Sequence, residues 1–318
     1  MNFDNVAVLA IRQKLSPAFP GDPIKPPTFA GDDGAQYVTY QNANRRDVIL
    51  DTHASQANRI EPMFNGTGLI PDSTVKAGTD EIPLTSLGHR VADAALRFSD
   101  ASEQTTKALD AYFGGNAEPL AKLAPTSLLF GAWDSRGNPK IKIARMLSAE
   151  IHATNVSDPI AVRGQYRTVL SRPEGIEKND ALSAEGLLDC PTEGLGGVIV
   201  NGEIVRTVQL NVRAVRKLNG EALQNYVLGL GLVALLAPPD LDLREGCNLV
   251  VESATMEAIN EGGTRAPFSM TYAEAVEFAK QAAQRFGVGP TRHFTYDEGK
   301  VRAKLEGAAA KKAKAVKA

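Results

Sequence analysis

The sequence predicts an α+β fold in which helices cover one face of an antiparallel sheet. Three observations predict it. Short apolar runs suited to strands, at residues 6–13 and 47–51, alternate with helix-like stretches instead of being grouped apart. A long segment from Glu203 to Val215 places Ile204, Val208, Leu210, Val212 and Ala214 on one side. Thr207, Gln209, Asn211 and Arg213 fall on the other, the period of a half-buried strand. A wholly apolar stretch, Tyr226 to Ala237, then precedes another strand-like run, CNLVVES at 247–253.

In chain order, VAVLAIRQ (6–13) opens as a strand, and the Pro and Gly of residues 16–35 make a loop. DVILD (47–51) is a strand leading into HASQANRIEPMF, where Ala57, Ile60 and Phe64 mark one helical face. Residues 65–84 are polar and irregular. SLGHRVADAALRF (86–98) predicts a helix with Leu87, Val91, Ala94, Ala95 and Phe98 in one stripe, and 101–113 predicts a second. TSLLFGAW (126–133) reads as a strand, and KIKIARMLSAEIHA (140–153), after the loop DSRGNP, as a helix, with a strand entry as the alternative for its alternating first half. Residues 173–195 are loop-rich. Asn201-Gly202, between Val198-Ile199-Val200 and the alternating strand, predicts a tight hairpin, because both turn residues there need positive φ. A buried helix over 220–237 ends at Pro238 and Pro239. A last helix, 271–286, starts with the capping box Thr271-x-x-Glu274 and stops at Gly287. Residues 1–306 are expected to form a single domain, and the Lys/Ala-rich 307–318 a mobile tail. This order suits a sheet of the ferredoxin or RNA-recognition type.

Composition narrows the function. The 318 residues carry Lys+Arg 35 against Asp+Glu 37, a net charge of -2, so a nucleic-acid surface has to be local rather than global. Cys190 and Cys247 are too few for a disulfide framework, which points to a reducing cytoplasm. The Tyr226–Ala237 run is shorter than the ~20 residues that span a bilayer, and a soluble protein without a membrane role is expected. The four histidines lie far apart, and no H-E-x-x-H, C-x-x-C, G-x-S-x-G or Walker-type motif occurs. No cofactor, metal site or catalytic residue is therefore expected. Gly194-Leu195-Gly196-Gly197 is followed by a strand, not by the helix N-terminus a phosphate loop needs.

Charge is segregated locally. Between Lys140 and Arg172 stand six basic residues and two acidic ones, and Arg206, Arg213, Arg216 and Lys217 lie in a stretch without acid. Trp133 and Arg136 stand just before the first cluster and Tyr166 within it. Cations, amides and rings so interleaved suit single-stranded nucleic acid; a solvated helix face plus a core tryptophan is the other reading of the same spacing.

Six segments in this order add a resemblance: SQANRIE (55–61), LAPTSLLFGAWDSRG (123–137), KIARMLSAEIHA (142–153), GGVIVNGEIVR (196–206), YVLGLGLVAL (226–235) and LREGCNLV (243–250). From about residue 6 to about 253 the chain resembles the Cas-seven-type backbone subunit of the type I-G (formerly I-U) CRISPR effector complex, Cascade, in the RAMP superfamily. The resemblance implies a modified RNA-recognition palm carrying finger and thumb insertions. It implies a non-catalytic, crRNA-binding subunit that stacks head to tail with other copies of itself and contacts other Cascade subunits. Target DNA would be recognised through guide pairing, in antiviral defence. The alternative is a metal-dependent ribonuclease subunit as in type III complexes, with Asp32 and Asp33 as its candidates. A guide-coating subunit must accept any sequence, so it should hold phosphates and 2′-hydroxyls. The RNA-binding candidates are Ser55, Gln56, Asn58 and Arg59, read as starting a helix whose free N–H groups hold phosphate. Trp133, Ser135 and Arg136 match the family's tryptophan loop. Lys140, Lys142, Arg145 and Ser148 lead into a segment similar to the Ser-rich RNA-contacting helix of other backbone subunits, and Arg163 and Arg167 follow from local charge.

Overall fold

A computed structural model describes residues 3–31, 34–134, 140–166, 174, 175, 177, 180–187 and 190–315. At its centre is a seven-stranded antiparallel sheet. Its order is Arg265–Pro267, Leu249–Asn260, Val6–Pro17, Ile204–Asn211, Leu147–Ala153, Arg45–Asp51, Thr39–Asn42. The four long strands Val6–Pro17, Leu147–Ala153, Ile204–Asn211 and Leu249–Asn260 are first, second, third and fourth in the chain. In space they run fourth, first, third, second. Helices lie in the connections from first to second and from third to fourth.

Alternation sets the two faces. Leu9 and Ile11, Leu210 and Val208, and Leu147 and Ala149 stand opposite one another in register and point into the core. The helix Glu221–Leu236 covers that face. From Tyr226 on it is apolar all round because it is buried all round. A Cβ on Gly231 would lie 2.7 Å from Leu210, and one on Gly229 would lie 2.8 Å from the backbone of Ala279. The two glycines therefore let this helix sit directly between the sheet and the outer helix Tyr272–Phe286. Tyr226 stacks on Phe286, with ring centroids 4.7 Å apart, and its hydroxyl donates to the Leu69 carbonyl.

A polar rung crosses this dry face. Asp51, Ile151, Arg206 and Gln13 are register neighbours across four strands. Arg206, 2% exposed, donates to Gln56 Oε1 and Gln13 Oε1 at 2.8 Å each. Gln56 in turn donates to Asp51 at 2.7 Å. Burial lowers the Arg206 pKa to about 10, opposed by the charge of Asp51. A larger apolar cluster lies on the Val208 side of this rung, and a smaller one, with Ile204, Val48 and Leu50, on the other.

Several sequence expectations need correction. Residues 140–153 are two strands, Ile141–Ile143 and Leu147–Ala153, not a helix; the second alternates buried and half-buried side chains along its length. TSLLFGAW is a short helix, Thr126–Phe130, and then a strand, Ala132–Asp134. Gly131 breaks it at φ +78, where a Cβ would meet the Ile143 carbonyl at 2.7 Å. The helix expected over 86–98 is a 3-10 turn, Arg90–Ala92, and a helix Ala94–Arg97, interrupted because Arg90 takes φ +53. The expected hairpin at Asn201-Gly202 does not form: Val198 bridges Ile24, Val200 bridges Val156, and Gly202 donates its N–H to Thr154. The alternating strand ends at Asn211, whose side chain caps the helix Val212–Arg216. Residues 65–84 hold two strands, Thr74–Ala77 and Asp80–Pro83. The capping box at Thr271 and Glu274 is present, and a final helix, Glu298–Ala315, carries the chain into its Lys/Ala segment.

Candidate nucleic-acid interface

Strands Ala132–Asp134 and Ile141–Ile143 form a two-stranded ribbon in which Trp133 stands directly opposite Lys142. Ala132 and Ile143 point inward and are buried, so the pleat turns Trp133 and Lys142 outward together. Trp133 is 58% exposed. Arg145 follows, its stem so close to the backbone that a Cβ on Gly131 would lie 3.1 Å from its Cγ. Lys140, Lys142 and Arg145 are all exposed. Among the described residues no carboxylate pairs with any of the three. His89 and Asn58 add exposed polar groups beside them; His89 Nδ1 lies 3.1 Å from the Trp133 carbonyl. An open indole beside three unpaired cations can stack on a base while the cations meet phosphates.

This surface rests on a buried ion pair. Glu61, wholly buried, accepts from Arg90 Nε at 2.8 Å. The same guanidinium donates to the Gly131 carbonyl at 3.2 Å and to Asn58 Oδ1 at 3.3 Å, and lies over the Phe130 ring at 5.3 Å. One side chain thus ties the helix His53–Ile60 to the root of the tryptophan ribbon. Burial lowers the Arg90 pKa, and the nearby positive charge of Arg145 adds to that. Burial also pushes the Glu61 carboxyl up to about 7, against the pull of Arg90. The folded state therefore holds this proton to higher pH than the unfolded chain does. The resulting stability is full below about pH 4.5 and is lost as pH rises through about 7. Urea melts between pH 5 and 8 should show a decline of at most about 3 kcal/mol from this group. E61Q should be flatter over that range; a wild-type slope unchanged in E61Q would refute the assignment.

The other sequence candidates are placed differently. Ser55, Gln56, Asn58 and Arg59 lie in the helix His53–Ile60, Ser55 and Gln56 in its first turn, but the N–H groups of these two are not free for phosphate. Thr52 caps that helix, accepting from Ser55 N–H through its side chain and from Gln56 N–H through its carbonyl. Gln56 is 1% exposed and belongs to the polar rung. Arg59 pairs with Asp51 and Asp240 and donates to the carbonyls of Asp242 and Leu243, fastening the helix to that loop. Of the four, Asn58 alone faces the tryptophan surface with its side chain exposed. Ser148 sits on a strand, not a helix, and accepts from Gln209 at 3.0 Å on the polar face of the sheet. Arg163 lies on the strand Ala161–Tyr166. Ser135, Arg136, Arg167, Asp32 and Asp33 lie outside the described residues. The acid-free stretch is not free charge in space: Arg206 is buried, and Arg213 and Arg216 both pair with Glu261.

The polar face of the four long strands carries Arg12, Lys14, Ser148, Glu150, His152, Thr207, Gln209 and Thr255, and its ring among the described residues is the half-buried imidazole of His152 beside Glu150. Arg12 pairs with Glu203 and Lys14 with Glu252, so its cations are largely spent. Trp133, by contrast, offers an open ring for base stacking beside exposed cations. Sequence spacing missed His89 and Arg90, because residues 40 or more positions from the tryptophan leave no local signal. Among the described residues no group of three or more His, Cys, Asp or Glu is placed to hold a metal ion, and no helix is long and apolar enough to cross a membrane.

Comparison with known proteins bears on the same region. A search of curated protein sequences gave no match. Among solved structures, the chain is similar to one of a "CRISPR RNA-guided surveillance complex, pre-nicking", at 10% identity and a TM-score of 0.42, covering 88% of this chain and 86% of that one. It is also similar to a chain of a "CRISPR RNA-guided surveillance complex", at 12% identity and a TM-score of 0.37, covering 88% and 80%. In sequence, residues 9–158 match the family described as CRISPR-associated protein GSU0053. That span, just under half of the chain, holds Asn58, Glu61, Arg90, Trp133, Lys142 and Arg145 together, and over it the chain is similar to that CRISPR-associated family.

Proposed function

We propose that this protein is a crRNA-binding, Cas-seven-type backbone subunit of a type I surveillance complex, of the I-G kind, and that it is not itself a nuclease. The observation that carries the reading is the exposed Trp133 flanked by the exposed Lys140, Lys142 and Arg145, with which no carboxylate among the described residues pairs, inside the stretch that matches the CRISPR-associated family. Such a surface grips backbone and stacks a base without reading base edges, as a subunit serving every spacer must. The fourth-first-third-second strand order, with helices on one face, supports an RNA-recognition type of palm. The paired strands Ala161–Tyr166 and Cys190–Leu195 interrupt the chain between two adjacent palm strands, which suits a thumb. Copies then follow one another head to tail along the guide in the cytoplasm, leaving bases free to pair with target DNA.

The test is the absorbance ratio and mass of the purified protein with and without guide RNA, at low and high salt. Length-dependent, salt-sensitive growth in mass supports the reading. A monomer that ignores RNA at low salt, alone and with its partner subunits, would sink it. Added Mg²⁺ should leave a bound target RNA intact; regularly spaced cuts lost in D33A would instead make the subunit a type III-like ribonuclease.

A further inference from the structure

The seven-stranded sheet ends in two edges of unequal character. On one side Arg265–Pro267 pairs with Glu257, Ala258 and Ile259 only. The preceding residues of the strand Leu249–Asn260 have no strand on their outer side among the described residues. Residues 250–255 are all exposed, with Val250 at 49% and Val251 at 41%. Val251 and Ala254 share the core-facing side of the register with Leu15 and Gln13, so here the covering helices do not reach the strand either. A bare strand edge with valines and little charge is what natural proteins avoid unless something pairs with it. At the opposite end, Thr39–Asn42 is also an edge strand, and Val38 and Tyr40 beside and within it are 51% and 41% exposed.

The two edges are matched in direction. Every neighbouring pair between them is antiparallel, and five such steps separate Leu249–Asn260 from Thr39–Asn42. An odd number of reversals makes these two strands run oppositely. A second copy in the same orientation, stepped sideways along the sheet, therefore brings its Thr39–Asn42 antiparallel to residues 250–253 of the first. The pairing continues the alternation without inverting either copy. It also brings Arg45, half exposed after that strand, toward the end of the partner strand that follows the exposed Glu245. The contact is heterologous, one edge against a different edge. Sheet twist turns each added copy relative to the last, so the series stays an open helix instead of closing into a dimer.

We propose that the exposed edge 250–255 is the docking site for a second copy of this chain, whose Thr39–Asn42 strand adds to it and joins the two sheets. The proposal rests on the guide-coating reading for its setting but not for its geometry. The variants V250K/V251K and, on the other edge, Y40D leave both cores intact and place charge in the junction. Their thermal melts should match wild type. On a long guide RNA, wild type should grow in mass with guide length, while either variant should bind at least about tenfold less protein per guide. If wild type grows and the variants grow equally, the edge proposal falls and the guide-coating reading survives. If wild type does not grow on RNA, alone or with its partner subunits, the reading falls, and the edge is judged by crosslinking alone. For that, S253C and Q41C proteins in a C190S background are mixed at high concentration with a short bis-maleimide; Cys247 is buried and does not react. Linked pairs should appear in the mixture and in neither protein alone. Their absence would overturn the proposal whatever RNA does.

Discussion

The double charge reversal K142E/R145E is expected to weaken binding of a single-stranded guide by at least about a hundredfold at moderate salt. Both side chains are exposed, and neither has a carboxylate partner among the described residues, so their charge is available to phosphate. A hydrogen bond to a charged group contributes about 1.5–3 kcal/mol, so removing two such bonds costs about 3–6 kcal/mol before repulsion is added. The salt dependence separates this from unfolding. Each phosphate contact to a single strand contributes roughly 0.7 to the slope of log affinity against log salt, so the slope should fall by about 1.4. W133A should behave differently. An indole 58% exposed contributes little to the core, so its melt should be close to wild type. Its affinity should drop by about 1–3 kcal/mol with the salt slope unchanged, the sign of missing base stacking. R59A is the control in the other direction. Its guanidinium is held by Asp51, Asp240 and two carbonyls, so the substitution should cost stability and leave the salt slope as it was. If K142E/R145E binds guide as wild type does, the tryptophan ribbon is not the interface.

The contrast between Arg59 and Arg145 indicates what the sequence makes legible. Period-two alternation from Arg206 to Asn211 identifies the central strand correctly, because one face of that strand is dry and the other wet. The same alternation places Arg206 on the dry face, yet linear spacing reads it as one of four surface cations. Its partners Gln56 and Gln13 lie 150 and 193 residues away, and pairing at that range has no local signature. Arg59 and Arg216 fail for the same reason: each is neutralised by groups brought together only by the sheet. Lys140, Lys142 and Arg145 survive because no carboxylate among the described residues pairs with them. The helix expected over 140–153 fails on competing periods, since KIKIARMLSAEIHA satisfies both until packing against Ile204–Asn211 decides for strand. The Asn-Gly hairpin fails more simply. Gly202 is needed for its close approach to Thr154, where a Cβ would lie 2.5 Å from the carbonyl oxygen, rather than for a two-residue turn.

Removing Arg90 should be the most destabilising single change among the polar residues, costing about 3–5 kcal/mol in R90A. The loss comes from the partner left behind. Glu61 is 0% exposed, so without the guanidinium its charge keeps no positive partner and only the Thr126 side chain to oppose its burial. Two further variants divide the effect. Arg90 has φ +53, a conformation that costs an ordinary residue roughly 1–2 kcal/mol, so R90G should be more stable than R90A despite removing the same interactions. R90A/E61L, which replaces the carboxylate by an apolar side chain, should recover much of the loss, giving a coupling energy of about 2–3 kcal/mol in a double-mutant cycle. The functional consequence follows from where Arg90 reaches. Its bonds to Asn58 and the Gly131 carbonyl join the helix His53–Ile60 to the base of the ribbon bearing Trp133. At temperatures where R90A/E61L stays folded, guide affinity should still fall, because the cations remain but the ribbon has lost its anchor. Full affinity in that variant would mean that the ribbon holds its position without Arg90, and that the buried pair serves the core alone.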